Sequence, residues 1–186
     1  CHQSGQRPGK LPPGERSWGP FHVVNRRGQP GFDPGMQRHH LLPRQLLRQG
    51  STAGLFKALG RDRLRFDDFR SNGLLLPATD RAALRIGLPL HRGPHRTYNE
   101  LVSERVGQIE AGWSQTRTQT PEVALVDALA RLELLQKALR RRLLDQRRRL
   151  LLSRKDPLGA GVDFTELDAL VDDLWPPHHA EIRAEI

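Results

Sequence analysis

Apolar positions in this chain follow two rhythms. In the second half they recur at helical spacing. Tyr98, Leu101, Val102, Val106 and Ile109 step by three and four along one face. Pro94 suits a first helical turn, where its missing N–H costs nothing, and Gly112 suits a stop. The pattern predicts a helix between them. A second helix is expected from Thr120-Pro121, a capping residue followed by a first-turn proline, with Leu125, Leu129, Leu132, Leu135 and Leu139 as its stripe and its end near Leu152. A short third helix is expected from "DFTE", where Asp163 and Glu166 form a capping-box-like pair; Leu167, Leu170, Val171 and Leu174 share its face, and "WPP" ends it.

The first half has shorter, strand-like runs. "FHVVN" (21–25) and "LLLP" (74–77) read as short strands. "MQRHHLLP" (36–43) reads as extended, because Pro43 disfavours helix at Leu42. "RQLLRQG" and "TAGLFKALG" read as helical pieces closed by Gly50 and Gly60, and Asn72-Gly73 is a turn signal. The expected class is therefore α+β and mostly helical. Residues 1–20, rich in Gly, Pro and charge, read as a flexible arm, and residues 176–186 as a frayed tail.

Composition narrows this. The chain has 186 residues, 37% hydrophobic, which supports one core and not two independent ones. No apolar run approaches the roughly 20 residues that cross a bilayer, and no signal-peptide pattern is present. A single cysteine excludes an intramolecular disulfide and cysteine-based zinc sites. The start at Cys1 suggests a natural N-terminus further upstream, or the lipid-bearing cysteine of a processed lipoprotein. The net charge of +9 is uneven. From Asp156 onward eight acidic residues face one basic residue, Arg183, a net −7, leaving +16 on residues 1–155. That excess suits a polyanionic partner, or reflects a genome that writes arginine wherever a charge is tolerated. The arginine-rich stretch at 140–149 offers a phosphate-binding face, a solvated surface, or a site for the chain's own acidic end.

Four of the eight histidines are suggestively placed: His39 and His40, adjacent at the end of a strand-like run, and His91 and His95, four apart before a helix, with Asn72 between the pairs. Neutral imidazole ligates divalent transition metals, and its proton is exchanged near neutral pH. Three such rings can hold one metal with an open position, while a fourth acts as a general base on water. Arg92 and Arg96 flank the second pair and either clamp phosphate, which arginine's planar fork suits, or are simply solvated. Tyr98 reads as core, and Asp67 and Asp68 as a solvated turn.

Taken together, "QRHHLLP", "FDDFRSNGLLLP" and "GLPLHRGPHRTYNELV" resemble the AHH branch of the HNH/endonuclease VII nucleases, common among bacterial polymorphic toxins. Arg38 stands where that branch has alanine. The resemblance covers roughly residues 36–110. It implies a small ββα-metal core, a short hairpin plus a metal-bearing helix, in residues 21–112. The resemblance says nothing of the segment beyond about residue 112, where the helical pattern predicts a C-terminal extension, residues 120–175, packed on that core. It implies His39, His91 and His95 as ligands of one divalent cation (magnesium, manganese, nickel or zinc) and His40 as general base. Asn72 would fix the base-bearing loop or orient the His40 ring. The implied activity is hydrolysis of nucleic-acid phosphodiesters, with DNA the expected substrate and little sequence preference. A toxin role would call for an immunity protein. The location would be the cytoplasm, or outside the cell after export. The rival expectation is a non-catalytic, metal-stabilised module that binds nucleic acid or protein; a third is a hydrolase of smaller phosphoesters.

Overall fold

The computed structural model describes residues 19–147, 150–153 and 155–158. Most of the expected arm, the expected helix at 163–174 and the tail fall outside these residues. Strands β1 (Met36–His40) and β2 (Gly73–Pro77) pair antiparallel, with His39 opposite Leu74 and His40 opposite Gly73. Residues 41–72 connect them through a 3-10 turn (Arg44–Leu47), α1 (Gly50–Leu59) and the single-turn α2 (Phe69–Asn72). Helices α3 (Asp80–Ile86), α4 (Arg96–Thr116) and α5 (Pro121–Leu144) follow. The class is α+β and mostly helical, as the pattern predicts. Among the described residues, no helix is long and apolar enough to cross a membrane.

One hydrophobic core joins the hairpin to the helices. Leu41, Leu42, Leu74 and Leu76 from the hairpin region meet Tyr98, Val102 and Val106 of α4 and Leu132, Leu135 and Leu139 of α5. Each fully buried aliphatic side chain contributes about 1.5–3 kcal/mol, so packing against the long helices helps to hold the hairpin in place. Ala124 and Ala128 are buried on α5, while Leu125 and Leu129 are only partly covered. The stripe thus starts on small residues, which let helices approach closely.

Several expectations change. "FHVVN" is no strand: Phe21–Val23 form a 3-10 turn. The Arg38 guanidinium donates to the carbonyls of Phe21 (2.7 Å) and Val24 (3.3 Å), which requires a curled backbone. Tertiary bonds override strand propensity here. Helix α4 starts at Arg96, after Pro94, with His95 in the capping position, and runs past Gly112 to Thr116. Trp113 extends the buried stripe four residues beyond Ile109. Burying an indole outweighs the ~1 kcal/mol that a mid-helix glycine costs. Helix α5 ends at Leu144 and not near Leu152. Asp145 is extended and its carboxylate accepts the Arg147 N–H (2.8 Å). The chain then turns back, burying Leu150 and Leu152 in the common core.

The Asn72-Gly73 turn closes α2 and opens β2. A Cβ at Gly73 would strike the Phe69 ring, so only glycine fits there. Asn72 is fully buried. Its Oδ1 accepts the Leu42 N–H (2.7 Å), and its Nδ2 donates to the carbonyls of Phe66 (3.0 Å) and Leu42 (3.3 Å). Gln136 of α5 donates to the same Oδ1 (3.3 Å).

Candidate active site

The pleat of β1 sends adjacent side chains to opposite faces. Gln37 and His39 share one, Arg38 and His40 the other. On the first face three histidines meet. The His39 ring lies 4.9 Å from that of His91 and 5.8 Å from that of His95, and His91 and His95 are 4.4 Å apart between ring centroids. One ring nitrogen from each lies within 4.8 Å of the others.

The backbone brings these rings together in three ways. His39 is carried by the ladder and backed by Tyr98, whose ring is 4.9 Å away. Tyr98 is buried and its hydroxyl donates to the Leu41 carbonyl (2.7 Å), so it belongs to the core. His91 is fixed by its N–H, which donates to the Pro77 carbonyl at the end of β2 (2.6 Å). His95 precedes α4. Neither His91 nor His95 lies within the helix, so a loop, and not a helical face, sets their spacing.

The ring nitrogens are sorted by their partners. His91 Nδ1 lies 3.1 Å from Gln37 Oε1, and His95 Nδ1 lies 3.3 Å from the Leu152 carbonyl. Both partners are acceptors, so each Nδ1 donates and each Nε2 keeps its lone pair. His39 Nε2 is buried with no hydrogen-bond partner among the described residues. An orphaned buried nitrogen is costly unless something else satisfies it. Three ring nitrogens lying this close, with two of the rings oriented by outer acceptors, fit a metal centre. Burial and the neighbouring histidines hold His39 well below the usual histidine range. Burial, then His95, pushes His91 down to about 4, and burial lowers His95 despite its bond to Leu152. All three shifts favour the neutral ring, the form a metal ligand takes.

His40 lies outside this cluster. Its ring stacks on Phe21 at 3.7 Å, only 4° from parallel, with Phe66 at 6.1 Å. Phe21 is held by Arg38 and stands edge-on to Phe69 (5.1 Å). Stacking covers a ring face and leaves the nitrogens at the edge free. Burial, then the Arg44 cation, pushes His40 down to about 4, against the pull of Asp67. No described residue hydrogen-bonds its ring. Asn72 lies behind it, bonded to Leu42 and not to the imidazole, because its oxygen is already taken by Leu42 and Gln136. Arg92 and Arg96 are exposed; Arg92 lies 3.9 Å from Asp80, and Arg96 opens α4.

A model of one protein family matches residues 22–139: a nuclease family of the HNH/ENDO VII superfamily with conserved AHH. The chain belongs to this AHH nuclease family. Comparison with curated proteins and with solved structures gives no match. The AHH match runs beyond the residues whose motifs carry the resemblance, through most of α5. In this AHH nuclease the alanine position holds Arg38, whose side chain clamps the turn bearing Phe21.

Four participants are given no role from the sequence. Gln37 was readable, since it sits two before His39 and so shares its face. Gln136 was readable too, as a polar residue four after Leu132 on an apolar stripe. The Leu152 carbonyl and Phe21 left no signal in local spacing.

Proposed function

We propose that the chain is a metal-dependent endonuclease that cuts DNA with little sequence preference, in the manner of a toxin nuclease. The supporting observation is the division of the paired histidines. His39 joins His91 and His95 in a three-nitrogen cluster, while the strand pleat keeps His40 out of it. His39, His91 and His95 would hold one divalent cation through neutral nitrogens. An all-nitrogen set favours zinc or nickel over magnesium and manganese, which prefer oxygen. Such an ion supplies Lewis-acid stabilisation of charge on the phosphate and the leaving oxygen.

The chain's own groups do the rest. His40, neutral and with free ring edges, takes the proton from the attacking water. Phe21 fixes its plane. Asn72 positions the strand end through Leu42. Arg92 and Arg96 offer guanidinium groups to the phosphates near the histidine cluster. A producing cell would need a neutralising immunity protein.

Purified protein mixed with supercoiled plasmid and manganese, nickel or zinc is expected to nick and linearise it. EDTA, or His95→Ala, is expected to stop the reaction. Persistent cutting in EDTA would contradict the metal-dependent reading, and no cutting of DNA or RNA with any metal would contradict the nuclease reading.

A further inference from the structure

A second feature lies in the connection that follows His40. The 3-10 turn and α1 enclose a groove of about 900 Å³, lined by Arg44, Arg48, Lys57 and Arg61 with Gln45 and Gln49. No acidic side chain lines it. Its cations contrast with others in the fold. Arg85 pairs with Asp33 at 2.8 Å and Arg131 with Asp127 at 2.8 Å. Within the groove, Arg61 pairs with Asp67 (2.7 Å). Arg44, Arg48 and Lys57 are exposed and make no ion pair with any described residue.

The groove reaches the site through contiguous contacts. The Arg61 guanidinium lies 5.9 Å from the Phe66 ring, which lies 6.1 Å from His40. Arg44 follows His40 by four residues.

We propose that this groove is the main binding track for the sugar–phosphate backbone flanking the cut, with Arg44, Arg48 and Lys57 as its phosphate contacts. The assignment rests on the nuclease reading for its location beside the cut. Three cations with no ion pair among the described residues, set in one channel, bind a polyanion by displacing condensed counterions, with no need of base contacts. That matches a track that ignores sequence. Gln45 and Gln49 add donors without adding negative charge.

The test is binding of a fluorescent 20-base-pair duplex in EDTA across a salt series, so that it does not depend on cutting. The proteins are wild type, the double variant Arg48→Glu/Lys57→Glu, the milder Arg48→Gln/Lys57→Gln, and Arg81→Glu on α3 as an off-groove control. Circular dichroism checks that each is folded. The expected result is a loss of affinity above 10-fold for the Glu pair and a smaller loss for the Gln pair. The slope of log affinity against log salt should flatten by about 2 for the Gln pair, at roughly 0.9 per lost phosphate contact. Arg81→Glu, off the groove, should bind close to wild type. On plasmid, the loss should fall on KM. Binding by the groove variants equal to wild type, or no duplex binding by wild type, overturns the assignment. Groove-dependent binding by a wild type that cuts nothing would support the groove while refuting the nuclease reading. Loss of binding to an acidic protein alone, with duplex binding intact, would make the groove a protein-docking surface and overturn the proposal.

Discussion

Replacing His40 with alanine is expected to slow plasmid cleavage by about 10²- to 10⁴-fold, the usual contribution of a positioned general base, or about 3–5 kcal/mol of barrier. Metal affinity should stay close to wild type. The two outcomes are separable because β1 points His39 and His40 to opposite faces, so deleting one ring leaves the other's surroundings in place. The ring lost is partly buried and stacked on Phe21, so a modest drop in thermal stability is expected with it. His39→Ala should behave differently. It removes a buried ring packed against His91, His95 and Tyr98, and metal binding and cleavage should fall together. Single-turnover nicking and calorimetric metal titration on the same preparations give the comparison. A His40→Ala protein that cuts at the wild-type rate would remove the general-base role from this residue.

The second large effect is on the frame of the site. Asn72→Ala is expected to destabilise the protein by about 3 kcal/mol or more, because a buried group left without its partner costs about 1–3 kcal/mol. The substitution strands four such groups: the Leu42 N–H and carbonyl, the Phe66 carbonyl and the Gln136 amide. For a domain of this size that corresponds to a fall in Tm of about 10 °C. Asn72→Asp should be no better. It keeps an acceptor for Leu42 but turns the donating amide into a second acceptor against two carbonyls, in a place with no solvent. If the residue merely filled space, Asn72→Leu, similar in size and without polar atoms, would be nearly neutral. Thermal unfolding of the three variants decides this. Cleavage at a temperature where the variant remains folded reports on positioning: kcat should fall with little change in KM, because the strand end bearing His40 loses its tie through Leu42.

Much of this was legible because it depends on local spacing. The stripe from Tyr98 to Ile109 foretold α4, and Leu132, Leu135 and Leu139 foretold the buried face of α5. Boundaries failed where distant contacts decided them. Trp113 carries α4 through a glycine, and Leu150 and Leu152 gain more by folding back than by prolonging α5. The run at 21–25 has strand-like residues, yet two bonds from Arg38 curl it. The short α3 has only Ala82 and Ala83 buried, too faint a pattern to read. At the site, His39, His91 and His95 were legible as a resemblance, and the structure brings them together. Their orientation was not. The Leu152 carbonyl is a backbone group 57 residues from His95, and nothing in either segment's own sequence marks that meeting. The stack of Phe21 on His40 is equally non-local.

The most direct test of the site is a crystal soaked in manganese or zinc, with anomalous scattering recorded at the metal's edge. The expected result is a single strong peak about 2.0–2.2 Å from the Nε2 atoms of His39, His91 and His95, with His40 outside bonding range. A peak bonded to His40, or no peak among the three rings at millimolar metal, would contradict the division of labour proposed for the paired histidines.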